Sequence, residues 1–93
     1  MSDSLKLRKL KEIRIKNLQK NLLDIQLKGI EHRININSRN KAEVVASEGS
    51  WVTEHLRTAI LKYNFEIDKI PKLLVKDFRP EELKQYEEIV SSS

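Results

Sequence analysis

Leucine and isoleucine recur at separations of mostly three to five residues through the first third of the chain, at Leu5, Leu10, Ile13, Leu18, Leu22, Leu23, Leu27, Ile30 and Ile34. Lys, Arg, Glu, Gln and Asn fill the gaps. This is the period of an amphipathic helix, and it predicts one long helix from Ser4 to Ile34. Two stripes overlap on it. Leu23, Leu27, Ile30 and Ile34 form one, and Ile15, Leu18, Leu22 and Ile25 form the other. Together they imply a broad apolar face, or burial against more than one neighbour, with packing on the domain's own core favoured over a coiled coil with a partner. A coiled coil would need several unbroken heptads, and Gly29 interrupts the register.

The pattern breaks after Ile34. Asn35, Asn37, Ser38 and Asn40 have side chains that compete with helical backbone hydrogen bonds, so they predict turns. Ala42–Ala46 reads as a helical turn, and Ile34–Ile36 alternates as a short extended segment does. The whole stretch 35–48 is expected to be a linker that loops back.

Three short helices are expected beyond it. The first spans Ser50–Tyr63, capped by Ser50 or Thr53 and ended by Asn64. The second spans Asp68–Lys76, with Asp68 as cap, Pro71 in the first turn, and Ile67, Ile70, Leu73 and Leu74 facing inward. The third spans Pro80–Val90, where Pro80 suits a first helical position and Glu81 and Glu82 meet the positive end of the helix dipole. Ser91–Ser93 is a tail. The expected class is therefore all-α: a long N-terminal helix (1–34, arm or packing helix), a linker, and a three-helix bundle over 49–90. Its core is expected to hold Trp51, Leu56, Ile60, Tyr63, Ile70, Leu74, Leu83 and Tyr86.

Composition narrows the function more than the fold. With 93 residues, of which 39% are hydrophobic and 34% charged, the chain supports one domain with a thin core. It has no cysteine, which excludes disulfides, thiolate zinc sites and thiol catalysis, and fits a reducing compartment. No apolar run is long enough for a signal sequence or a membrane span. His32 and His55 fall in different elements without partners at ligand spacing, and with only Gly29 and Gly49 there is no phosphate-cradling loop. No enzymatic activity, cofactor, metal or small-molecule substrate is expected.

Charge is unevenly placed. Residues 1–34 hold nine Lys/Arg against four Asp/Glu, a net +5, within an overall formal charge of +4. Lys6, Arg8, Lys9, Lys11, Arg14, Lys16 and Lys20 form a basic run that is a candidate nucleic-acid surface. No aromatic is interleaved with it to stack on bases. Glu81, Glu82, Glu87 and Glu88 form an acidic group that is a candidate partner-binding surface.

Residues 49–90 resemble the Myb/SANT family, whose signature is three bulky aromatics spaced through three helices. GSWVTEHLRTAILKY resembles the family's first helix, with Trp51 as its aromatic. Ile70 in IDKIPKLL stands at the second aromatic position, and Tyr86 in FRPEELKQYEEIV at the third. Isoleucine at the second position departs from the signature. DNA-binding members carry a basic third helix, whereas Pro80–Val90 has Lys84 against four glutamates, which the phosphate backbone would repel. On that point the chain is similar to the SANT branch. The resemblance implies a nuclear interaction module in a chromatin or transcription-related complex, binding a basic segment such as a histone tail, or other subunits. The alternative is a DNA- or RNA-binding regulator or ribosome-assembly factor that uses the N-terminal helix. A third reading is a structural subunit docking its leucine stripe on a partner helix.

Overall fold

The computed structural model describes residues 2–28, 32–46 and 54–92. The order is α1 (Ser2–Lys28), β1 (His32–Ile36), β2 (Ala42–Ala46), α2 (Glu54–Lys69), two short 3₁₀ turns (Ile70–Lys72 and Val75–Asp77) and α3 (Pro80–Ser92). The fold is mostly helical, with a small antiparallel sheet in the segment expected to be a linker.

The first helix ends six residues before its apolar period predicts. It closes at Lys28, just ahead of Gly29 in sequence, and Ile34 belongs to a strand. Glycine inside a helix costs about 1 kcal/mol relative to alanine, and the β-branched and asparagine-rich sequence that follows favours extended chain. Period alone cannot separate Ile34 on a helix from Ile34 on a strand.

The sheet pairs Ile34 with Val44 and Ile36 with Ala42. These four face the core, while Asn35 and Glu43 point to solvent, the alternation expected of a half-buried strand. Ala42–Ala46 is thus a strand, not a helical turn. The connection is built by asparagines: Asn37 Oδ1 accepts the backbone N–H groups of Arg39 and Lys41, and Asn40 takes the left-handed backbone (φ 64°) that asparagine tolerates.

Helix α2 runs straight through Asn64, the residue expected to end it, and continues to Lys69. The Asn64 amide is not lost to the helix because it reaches the sheet. Its Oδ1 accepts the Ala42 N–H at 2.7 Å, and its Nδ2 donates to the Ala42 carbonyl at 3.0 Å. The two bonds satisfy both backbone groups of Ala42 that do not face β1. Asp68 consequently lies inside α2, and the expected helix Asp68–Lys76 is replaced by the two 3₁₀ turns, with Pro71 in the first.

The main core joins Leu22 of α1, Ala42 of β2, and Leu56, Ile60, Tyr63 and Ile67 of α2 to Ile70. Leu10, Ile13 and Phe78 are buried outside this cluster. Of the expected core, Leu56, Ile60, Tyr63 and Ile70 are buried, and Leu83 and Tyr86 are half-buried. Leu74 is a correction. At 53% exposure it sits between the two 3₁₀ turns, on no helical face that would turn it inward. Trp51 lies outside the described residues. Helix α3 extends to Ser92, taking in most of the expected tail.

α1 is a packing helix that contacts α2, α3 and the hairpin, and both later helices pack chiefly on it rather than on one another. Among the described residues, α2 and α3 share α1 as their common packing surface, with two 3₁₀ turns where a second helix of the later segment was expected.

Candidate functional site

Both α2 and α3 pack on α1, and a cleft of about 930 Å³ lined by all three helices opens between them. Each helix lines it with residues three or four apart, the spacing of a single face. α1 contributes Leu18, Leu22 and Ile25, and α2 contributes Ala59 and Tyr63. Leu18, Ile25 and Ala59 are half-buried, with the buried Leu22 and Tyr63 beneath them. Charges rim this apolar floor. Asp24, Glu66, Glu81 and Glu88 stand there with Lys20, Lys62, Arg79 and Lys84.

One end of the cleft is closed by a clasp between α1 and α3. Arg14 Nε donates to Glu82 Oε2 at 2.6 Å and Nη2 to Glu82 Oε1 at 2.7 Å, a two-pronged pair whose side chains are only 14% and 7% exposed. The same guanidinium donates to the Asp77 carbonyl and lies 4.9 Å from the Phe78 ring centroid. Glu82 also accepts the Arg79 N–H at 2.8 Å, capping the first turn of α3 as a glutamate at the third helical position does. Next to the clasp, Asn17 Nδ2 donates to Gln85 Oε1 at 2.9 Å.

These contacts set the ionisation of the pair. Burial works against the charged form of Glu82. The Arg14 hydrogen bonds, the Arg79 N–H and the neighbouring positive charges outweigh it and hold the carboxyl below its ordinary value. The hydrogen bond to Glu82 raises Arg14 in turn, with burial opposing. Tyr63 is pushed up by burial, partly countered by Gln19, and its hydroxyl donates to the Asn40 carbonyl at 2.6 Å.

The clasp changes the standing of two residues singled out from sequence. Arg14 and Glu82 satisfy each other, so neither offers a free charge to a partner. The other basic residues divide. Lys11 Nζ donates to the Pro71 carbonyl, and Lys6 Nζ lies 5.6 Å from the Tyr86 ring centroid. Arg8, Lys9, Lys16 and Lys20 are exposed, with Lys20 on the cleft's edge. On α3, Glu81 and Glu88 stand on the cleft rim and Glu87 is exposed away from it. The structure thus keeps four of the seven cations and three of the four glutamates on the surface.

Sequence reasoning missed the clasp, the Asn64 bridge and the cleft. Arg14 and Glu82 are 68 positions apart, and no local pattern marks them as partners. Among the described residues no group of three or more His, Cys, Asp or Glu gathers to hold a metal ion, and no helix is long and apolar enough to cross a membrane. No protein-family model matches the chain, and neither the curated proteins nor the solved structures contain a match to it.

Proposed function

We propose that the protein is a non-enzymatic interaction module that seats a basic amphipathic segment of a partner protein in the cleft between α2 and α3. The observation carrying this reading is the apolar floor of Leu18, Ile25 and Ala59, with Glu81 and Glu88 among the mixed charges of its rim. An amphipathic helix laid in such a groove buries its apolar stripe and places its cations against the glutamates. Fixed helices supply both surfaces, so little ordering is required on binding. The SANT resemblance of residues 49–90 gives the same partner chemistry, with a histone tail as one instance. In that reading the protein is a nuclear subunit of a chromatin or transcription-related complex.

The test is titration of the intact protein with a synthetic Leu/Lys amphipathic peptide and with a basic histone-tail peptide. Exposed ion pairs contribute under about 1 kcal/mol each, so reversing both charges in Glu81→Lys/Glu88→Lys is expected to weaken binding about ten-fold or more. Glu87→Lys, away from the cleft, should change it little. Equal loss from both variants would refute the cleft as the seat.

A further inference from the structure

The basic run on α1 is not absorbed by the cleft, and the structure selects which part of it is free. Lys6, Lys11 and Arg14 are engaged with Tyr86, Pro71 and Glu82. Arg8, Lys9, Lys16 and Lys20 are exposed, and no hydrogen bond or ion pair ties them to another described residue. Lys9, Lys16 and Lys20 are separated by seven and four positions, which puts them on one face of the helix, with Arg8 about 100° around it from Lys9. Lys9 and Lys16 lie across the helix from Leu18 and Ile25, whereas Lys20 reaches the rim of the cleft. At 1.5 Å per residue, Lys9 and Lys20 lie about 16 Å apart along a continuous helix. Glu12 and the exposed Asp24, four positions past Lys20, are the acids beside the stripe, leaving a local net charge of +2.

We infer that this face of α1 binds the phosphate backbone of a double-helical nucleic acid without reading its sequence. A duplex carries one charge per about 1.7 Å of axis, so 16 Å presents about ten phosphates to four cations. The stripe holds no aromatic, so bases of a single strand have nothing to stack on. Its exposed leucines, Leu5 and Leu23, are 18 positions apart and form no continuous apolar face, which disfavours an anionic membrane as the partner. Backbone contacts of this kind give affinity and register without base discrimination.

The experiment is a fluorescence titration of the full chain against a DNA duplex, an RNA duplex, a single strand and vesicles containing phosphatidylserine, over a range of salt. Four contacts predict a log–log salt slope near about −3.6 on duplex DNA, or about a 150-fold loss between 50 and 200 mM salt. Lys9→Glu/Lys16→Glu/Lys20→Glu should abolish duplex binding while leaving the melting temperature within a few degrees of wild type. Glu12→Gln should tighten binding and leave the fold intact, a gain that unfolding cannot mimic. Glu87→Lys, on another helix and away from the cleft, should leave the slope unchanged. A flat salt response, no gain from Glu12→Gln, or tighter binding to single strands or vesicles than to either duplex would overturn the inference.

Discussion

Replacing Glu82 by alanine tests the clasp between α1 and α3. The substitution removes both oxygens that receive Arg14, at 2.6 and 2.7 Å, and the acceptor for the Arg79 N–H at 2.8 Å. A guanidinium 14% exposed is left without its carboxylate. Breaking one side of a buried pair costs about 3–5 kcal/mol, and loss of a helix cap adds about 0.5–2 kcal/mol. Arg14 keeps the Asp77 carbonyl and the Phe78 ring, so the lower end applies, about 3 kcal/mol. Against a total of about 5–14 kcal/mol for a chain of this length, that is a large fraction. In urea, with a slope of about 1–1.5 kcal/mol per molar, the midpoint should fall by about 2–3 M. Arg14→Met/Glu82→Leu removes both charges and fills the space, so it should recover most of the loss. The acid limb follows from the same pair. Because the folded state holds Glu82 below its ordinary value, its contribution is fully present above the usual carboxylate range and is lost as pH falls through the folded value. Glu82→Gln should therefore melt less steeply with falling pH than wild type. A Glu82→Ala cost below 1 kcal/mol, or a double variant as unstable as the two single variants combined, would refute the reasoning.

Two further substitutions probe how the hairpin is held. Asn64→Leu should cost about 2–3 kcal/mol, read by thermal melting, because it unpairs the N–H and C=O of Ala42 together. Tyr63→Phe removes the hydroxyl that donates to Asn40 and should cost about 1 kcal/mol. If the first is no worse than the second, the Asn64 bridge does not anchor the sheet.

What the sequence revealed and what it hid divide along the range of the interactions. α3 was legible to within two residues because Pro80, Glu81 and Glu82 mark a helix start locally. The inward positions Leu56, Ile60 and Tyr63 followed from helical period, and the structure buries all three. Ile34–Ile36 carried a visible alternation, but Ala42–Ala46 did not, since alanine and glutamate favour helix and only the partner strand overrides them. Asn64 looked like a stop because its amide competes with the helix. It is tolerated because that amide finds Ala42 on an element 22 positions away. The basic run was visible as charge, but not that Arg14 would be drawn inward by Glu82, nor that Lys20 would stand on a cleft edge. The cleft was invisible for the same reason, being built where three helices with ordinary local patterns fail to close over one another.

The cleft reading is tested most directly by backbone amide chemical-shift mapping of the intact protein with the Leu/Lys amphipathic peptide. The account predicts shifts concentrated at Leu18, Ile25, Ala59, Tyr63 and Glu88, with Lys9 and Lys16 on the far face of α1 unmoved. Shifts centred on Lys9 and Lys16, or an unchanged spectrum at saturating peptide, would contradict it.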